Sequence, residues 1–420
     1  MAEKKVREVR PGFFLNGEVH HWYNIILGYN DDLVAHLIEQ FKLTRNDLVL
    51  DPFCGAGTTL VECMRSEIPS IGVDANPSSC FAARVKTDWE LDTRKIEAAL
   101  DDLSVSYRRL LAHQQYKSDL TYCYITDSGM VERGWISEVR LIKAIALKKA
   151  IAKLNIGLRY QNFFKLALIS EVVQKISNVK FGPELYCGPH RENRNLFKGF
   201  ATRVQKMCAD LEKVAELTPA MATVIQDDSR SLNRLPRTLK KREVSAIICS
   251  PPYPAEHDYT RNTRLELAFL EDVTGLESLR KIKKRMMRSH TKGIYKKDDD
   301  GAFVKQIISV QDVVRTLEPL VKEKTHGFAK LYPKVVGEYF GGMARHFASV
   351  APYLKKGAQC AYVVGDQSSY LRHHIPTAEI LATIATELEF EKVEIAHWRK
   401  RWSTTTSLEI SENILILQKV

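Results

Sequence analysis

Apolar positions along the chain alternate between two periods. Leu33, Leu37, Ile38 and Phe41 share one helical face, with Asp31 and Asp32 suited to the first turn, so the pattern predicts a helix over 31–41. Residues 47–50 form a short apolar run of the kind buried in a parallel sheet. A helix over Thr58–Arg65 and a second strand over Ser70–Asp74 follow. Strand, glycine loop, helix and strand in that order mark a doubly wound α/β sheet. The pattern then turns mainly helical from 92 to 217, most clearly at 139–147 and 163–176, with a further helix at about 200–217. Between them, 178–195 holds Gly182, Pro183, Gly188 and Pro189 and predicts loop. Strands resume at Ala222–Gln226 and Val244–Cys249. A second helical, very basic stretch covers 265–347, and strands return at 359–364, 392–395 and 413–417. The last two predict a closing antiparallel pair. The expected organisation is one sheet carried by 1–91, 218–264 and 348–420, interrupted by helical insertions at 92–217 and 265–347.

Composition narrows the partners. A chain of 420 residues holds one large α/β domain with insertions, or two domains. Its 62 basic residues against 51 acidic leave a formal charge of +11, which suits a polyanion, a merely basic surface being the alternative. The eight cysteines stand singly with no CxxC pair, which argues against a disulfide framework or zinc site, and no metal is expected. The start, residues 1–7, is charged with no apolar run behind it, and no stretch has the length of a membrane span. A cytoplasmic, nucleoid-associated protein with no membrane partner is the expectation.

Two short motifs carry the chemistry. The first, Asp51-Pro52-Phe53-Cys54-Gly55-Ala56-Gly57-Thr58-Thr59, follows a predicted strand and opens a helix. Gly55 and Gly57 let the backbone turn sharply beside a ligand. The helix-start N–H groups around Thr58 and Thr59 are unpaired donors suited to a carboxylate. Asp51 can balance an ammonium, and Asp74, ending the next strand, can accept two ribose hydroxyls. Asp228 and Ser229, after a third strand, can take an adenine amine or simply cap a helix. A nicotinamide loop would prefer a third glycine where Leu60 stands. An amino-acid end plus a nucleoside is the outline of S-adenosylmethionine.

The second motif is Ser250-Pro251-Pro252-Tyr253. An exocyclic base amine is a poor nucleophile because its lone pair is delocalised into the ring. Acceptors that hold both N–H groups let the nitrogen turn pyramidal. Pro251 and Pro252 lack N–H and have fixed φ, so their loop presents carbonyl oxygens rigidly. The Ser250 hydroxyl and Pro251 carbonyl are the natural acceptors, and Tyr253 offers a stacking face. A base must be flipped out to reach such a pocket. Cys249 ends a strand and reads as a small buried residue rather than a nucleophile.

On these segments the chain resembles the S-adenosylmethionine-dependent DNA amino-methyltransferases, most closely the cytosine-N4 type of bacterial modification enzyme. The resemblance implies a Rossmann-like class I methyltransferase sheet, mostly parallel with a closing antiparallel strand, and double-stranded DNA as partner. It implies donor contacts from Asp51, Phe53, Gly55, Gly57, Thr58, Thr59, Asp74, Asp228 and Ser229, and catalytic roles for Ser250, Pro251, Pro252 and Tyr253. Residues 20–33, beginning His20-His21-Trp22-Tyr23, look like the family element that closes over the methionine end. In that family a serine heading the second motif is associated with cytosine N4, and aspartate or asparagine with adenine N6. The insertion at 92–217 departs from the better-known members, and no segment is plainly a recognition domain. A cognate restriction or defence protein is a further candidate partner; the oligomeric state is unknown. Directly after Tyr253, the residues Glu256, His257, Asp258, Tyr259, Arg261, Arg264 and Glu266 could line the mouth of the pocket; Arg261 and Arg264, three apart, are candidates for contact with the DNA backbone, an ion-pair set with Asp258 and Glu266 being the alternative. The dense basic run holding Lys283, Lys284, Arg285 and Arg288, and Arg399 with Arg401 beside Trp402, are the others. The alternatives are adenine-N6 methylation, tRNA guanine-amine methylation, and a non-catalytic DNA-binding subunit of the same fold.

Overall fold

The computed structural model describes residues 17–24, 28–112, 116–181, 185–189, 194–255, 257–322, 327–368, 370–403 and 408–420. The charged start at 1–7 and Glu256 lie outside them. Seven strands form one sheet: β1 (Val49–Asp51), β2 (Ser70–Asp74), β5 (Ala222–Gln226), β6 (Val244–Cys249), β7 (Leu354–Gly365), β8 (Phe390–Ser403) and β9 (Leu408–Lys419). β3 (Val179–Phe181) and β4 (Leu185–Cys187) form a separate antiparallel pair. The sheet order is β5-β2-β1-β6-β7-β9-β8. Only β9 runs against its neighbours, wedged between β7 and β8. This is the expected α/β, Rossmann-like methyltransferase sheet.

The apolar runs are continuous because both sheet faces are covered. Alternate residues of one strand enter different cores: Val49 joins Ala246, Ile248, Ala361 and Val363 on one face, while Leu50 joins Ile247, Cys249, Cys360 and Tyr362 on the other. The first face receives α1 (Asp31–Gln40) and α2 (Thr58–Arg65), with α3 (Pro77–Lys86) beside them. The helices α4 (Thr93–Ala112), α5 (Leu120–Asp127), α6 (Glu138–Ala152), α7 (Leu158–Glu171) and α8 (Leu196–Val214) pack onto α2 and α3 through a shared buried cluster. α9 (Leu235–Leu239) precedes β6. After β6 come α10 (Tyr259–Asn262), α11 (Arg264–Phe269) and α12 (Leu276–Arg285). Then α13 (Ile308–Lys322), α14 (Tyr332–Val350) and α15 (Thr377–Thr386) cover the second face.

Two local expectations are corrected. The tract at 178–195 is not all loop, because β3 and β4 pair within it, Lys180 opposite Tyr186. The helix expected over 163–176 stops at Glu171 and continues as a π-turn, Val172–Ile176.

Candidate active site

β1 lies between β2 and β6, so the chain steps outward to one side, then returns across β1 to the other. Ligands gather beyond the carboxyl ends of strands at such a switch point. Here the loops after β1 and β6 open into one cavity of about 680 Å³, the size of a cofactor site. Phe53, Gly55, Thr58, Asp74, Asp228, Ser229 and residues 250–253 all line it, whereas Asp51, Gly57 and Thr59 stand behind its wall.

The β1 loop is held mostly by protein. The Phe53 N–H donates to Asp51 Oδ1 at 3.0 Å, and the Tyr29 hydroxyl donates to Asp51 Oδ2 at 3.0 Å. Tyr29 also meets the Thr59 hydroxyl, which donates to the Ile248 carbonyl at 3.2 Å, bracing β1 against β6. Burial pushes the Asp51 carboxyl up to about 7. Asp51, the sequence's candidate for the donor's ammonium, stands outside the cavity lining, and its oxygens tie the loop to Tyr29 and to the Phe53 N–H. Gly57 has φ +84°, and a Cβ there would sit 3.1 Å from Ala83 Cβ of α3. It caps α2 with no side-chain hydrogen bond, leaving the first-turn N–H groups beside Thr58 without a side-chain partner. The Gly55 N–H donates to Asp74 Oδ2 at 2.9 Å and the Asn76 N–H to Oδ1 at 2.7 Å. Each Asp74 oxygen keeps a lone pair, and burial raises the carboxyl to about 6.

At the far end Arg230 grips Asp228 through Nε at 2.9 Å and a terminal nitrogen at 2.6 Å. Its other terminal nitrogen reaches Asp300 at 2.6 Å. Ser229 donates to the Pro52 carbonyl, joining the β5 and β1 loops. Below them buried His346 contacts the Ser229 carbonyl through Nδ1 at 2.8 Å and Tyr362 through Nε2 at 2.9 Å. A carbonyl only accepts, so Nδ1 carries the proton. Burial lowers this imidazole to about 4 and keeps it neutral. Its ring also meets Phe53 edge-on, centroids 4.9 Å apart.

The β6 loop differs. Ser250 Oγ donates to the Val363 carbonyl at 3.1 Å and lies 3.5 Å from the Tyr253 hydroxyl, keeping a lone pair for a ligand. The Tyr253 ring lies so close to Gly365 that a Cβ there would be 3.2 Å from Tyr253 Cε2. Burial raises the Tyr253 phenol, so it stays neutral. Cys249 is buried and its thiol is likewise raised by burial.

Several lining residues were not foreseen. Asn76, two positions past Asp74, bridges to Thr263 at 3.0 Å. The π-turn supplies Val173 and Gln174, and the β3–β4 hairpin supplies Phe181, so the insertion at 92–217 walls the cavity. Tyr23, on the segment expected to close over the site, donates to Glu266 of α11 at 2.7 Å. That segment is pinned by His20 to Glu62 at 2.7 Å and by the Trp22 indole to Asp210 at 2.8 Å. An aromatic-rich stretch ahead of the glycine loop was the available signal; the acids that anchor it lie far along the chain.

The basic candidates divide. Lys283 is ion-paired with Asp258 at 2.6 Å, and Arg288 is buried against Asp298 at 2.8 Å, so neither belongs to an open basic face. Arg264 donates to the Thr260 carbonyl at 3.0 Å and the Tyr124 hydroxyl at 3.3 Å. Arg399 and Arg401 converge on buried Glu412 of β9. Arg261 is half-buried on α10. Lys284 and Arg285 are exposed, and Arg285 lines the cavity at its Asp228 end.

A switch-point cavity with an acid at the β2 end and a proline-rich loop after β6 defines an α/β enzyme that brings a nucleoside cofactor against a second substrate. Residues 29–84 match the DNA methylase family (N6_N4_Mtase). Across 92% of this chain and 81% of the relative, the sequence is 24% identical to the type II methyltransferase M.BsoBI of Geobacillus stearothermophilus. It is 27% identical to type II methyltransferase M.MvaI of Kocuria varians over 56% of this chain and 53% of that one. A 78-residue stretch, 18% of this chain and 14% of the relative, is 40% identical to type II methyltransferase M.MjaII of Methanocaldococcus jannaschii. These likenesses support a DNA methyltransferase of the N4/N6 type, a class whose methyl donor is S-adenosylmethionine. Among the described residues no helix is long and apolar enough to cross a membrane.

Proposed function

We propose that the chain methylates N4 of a flipped cytosine within a specific site of double-stranded DNA. The observation that carries this reading is the cavity shared by the β1 and β6 loops. Its fit to the donor rests on the uncapped first turn of α2 for a carboxylate and on Asp74, with free lone pairs, for ribose hydroxyls. Asp228, already gripped by Arg230, retains one lone pair for the adenine amine. When bound, S-adenosylmethionine supplies an electrophilic methyl group on a sulfonium.

The chain's own residues do the positioning. The Pro251 carbonyl and Ser250 hydroxyl hold the two N–H groups of the amine, and Tyr253 stacks on the base. With the donor bound, these residues would hold the amine nitrogen's lone pair toward the methyl group that it supplies, and the surplus proton would leave to water. Rate comes from alignment in a closed cavity. Ser250 heading its motif favours cytosine over adenine. Of the four candidates Lys283, Lys284, Arg285 and Arg288, the exposed Lys284 and Arg285 are the phosphate contacts of this reading. The relatives' naming as type II methyltransferases supports a modification role; a cognate restriction protein as partner and a place in the cytoplasm with the nucleoid are part of the same proposal.

Labelled donor, DNA of varied sequence and digestion to nucleosides test the reading. Labelled N4-methylcytosine is expected. N6-methyladenine would move the target to adenine, and no labelled nucleoside from any DNA would overturn the reading.

A further inference from the structure

Three carboxylates line the cavity: Asp74, Asp228 and Glu266. Asp74 accepts an N–H on each oxygen, and Asp228 is held on both by Arg230. Glu266 is different. One oxygen accepts the Tyr23 hydroxyl at 2.7 Å, and the other is buried with no hydrogen-bond partner among the described residues. The residue is 3% exposed. No described cation forms an ion pair with it, and burial pushes its carboxyl up to about 7. A buried carboxylate oxygen without a partner is costly, so such a group marks a place where a donor is missing.

The expected ligand carries one such group. The donor's α-ammonium has three N–H donors and a positive charge, and Asp51, the residue the sequence offers for it, is turned away into Tyr29 and Phe53 N–H. Glu266 lines the cavity together with Ala56, just before the start of α2. Its partner Tyr23 belongs to the same buried cluster as Ala56, next to the start of α2, whereas the Asp228 end is bounded by Arg230 and Met287 on the opposite core.

Resting on the donor reading above, we infer that Glu266, oriented by Tyr23, accepts the α-ammonium of S-adenosylmethionine and thereby fixes the amino-acid end of the donor. The position lies outside both sequence motifs, on the short helix α11 after the β6 loop. Donor grip and the amine pocket are thus joined through one segment, 250–266.

The test crosses the residue's charge with the ligand's. Wild type, E266Q and Y23F are titrated calorimetrically with S-adenosylhomocysteine and with its analogue lacking the α-amino group. In wild type the amino group is expected to strengthen binding by about 10- to 100-fold. E266Q, which can still accept from Tyr23, should lose most of that preference while binding the des-amino analogue as wild type does. Y23F should keep most of it. If E266Q discriminates as wild type does, or weakens both ligands equally with an unchanged melting temperature, the assignment is overturned. If wild type binds neither ligand, the donor reading itself fails, a result distinct from either.

Discussion

The loops after β1 and β6 are neighbours across the sheet, yet they are built on opposite plans. In the first, Asp51, Gly57 and Thr59 face protein, and contacts to Tyr29, Ala83 and the Ile248 carbonyl occupy them. In the second, all four residues from Ser250 to Tyr253 face the cavity. The first loop is a scaffold that offers backbone to a ligand, and the second is a set of side chains and carbonyls offered directly. Substitutions in the β1 loop should therefore register as stability, and those in the β6 loop as turnover.

The largest expected effect tests the second half of that contrast. Tyr253→Ala should lower turnover by at least about 100-fold while sparing donor affinity, with some loss of melting temperature because the ring is buried against Gly365. Full activity in the steady-state assay would refute the stacking role.

Asp51→Asn probes the scaffold through pH. The folded-state carboxyl titrates near 7, above its unfolded value, so its contribution is fully present at low pH and is lost as pH rises through 7. Asn keeps an acceptor for the Phe53 N–H and removes the charge. The variant's melting temperature relative to wild type should climb between pH 4 and pH 8, by an amount on the order of a few kcal/mol in stability. A constant difference across that range would refute burial of the charge.

Gly57→Ala should cost about 1–3 kcal/mol, read from denaturant midpoints, because φ is positive and Ala83 blocks the new methyl. The smallest effect belongs to the rim. Replacing Lys284 and Arg285 together by Ala should weaken DNA binding equally across sequences and flatten its salt dependence by about one to two counterions. Loss confined to one sequence would mean that these residues read bases.

Much of the sheet was legible because strands buried on both faces are written as unbroken apolar runs, as in Val244–Cys249 and 413–417. The outer parts of β8 were not, since residues 399–402 continue the pairing with Arg399 and Arg401 held by Glu412 and Lys400 by Glu409. The two motifs revealed the cavity's floor because glycine and proline impose local geometry. Its ceiling was legible only in part: Tyr23 and Glu266 stand on segments expected beside the pocket, but their pairing across 243 positions, and the entry of Gln174, depend on partners distant in sequence. The basic run was readable as charge but not as pairing, because the acids that neutralise Lys283 and Arg288 lie in other turns of the chain.

The brace from Thr59 to the Ile248 carbonyl spans 189 positions, and it seals the seam at which both loops emerge. Nascent chain lacking β6 has half a floor and nothing opposite it. Donor occupancy is consequently a readout of finished assembly: it should protect the whole protein against heat at once, and a fragment ending before β6 should gain nothing from it.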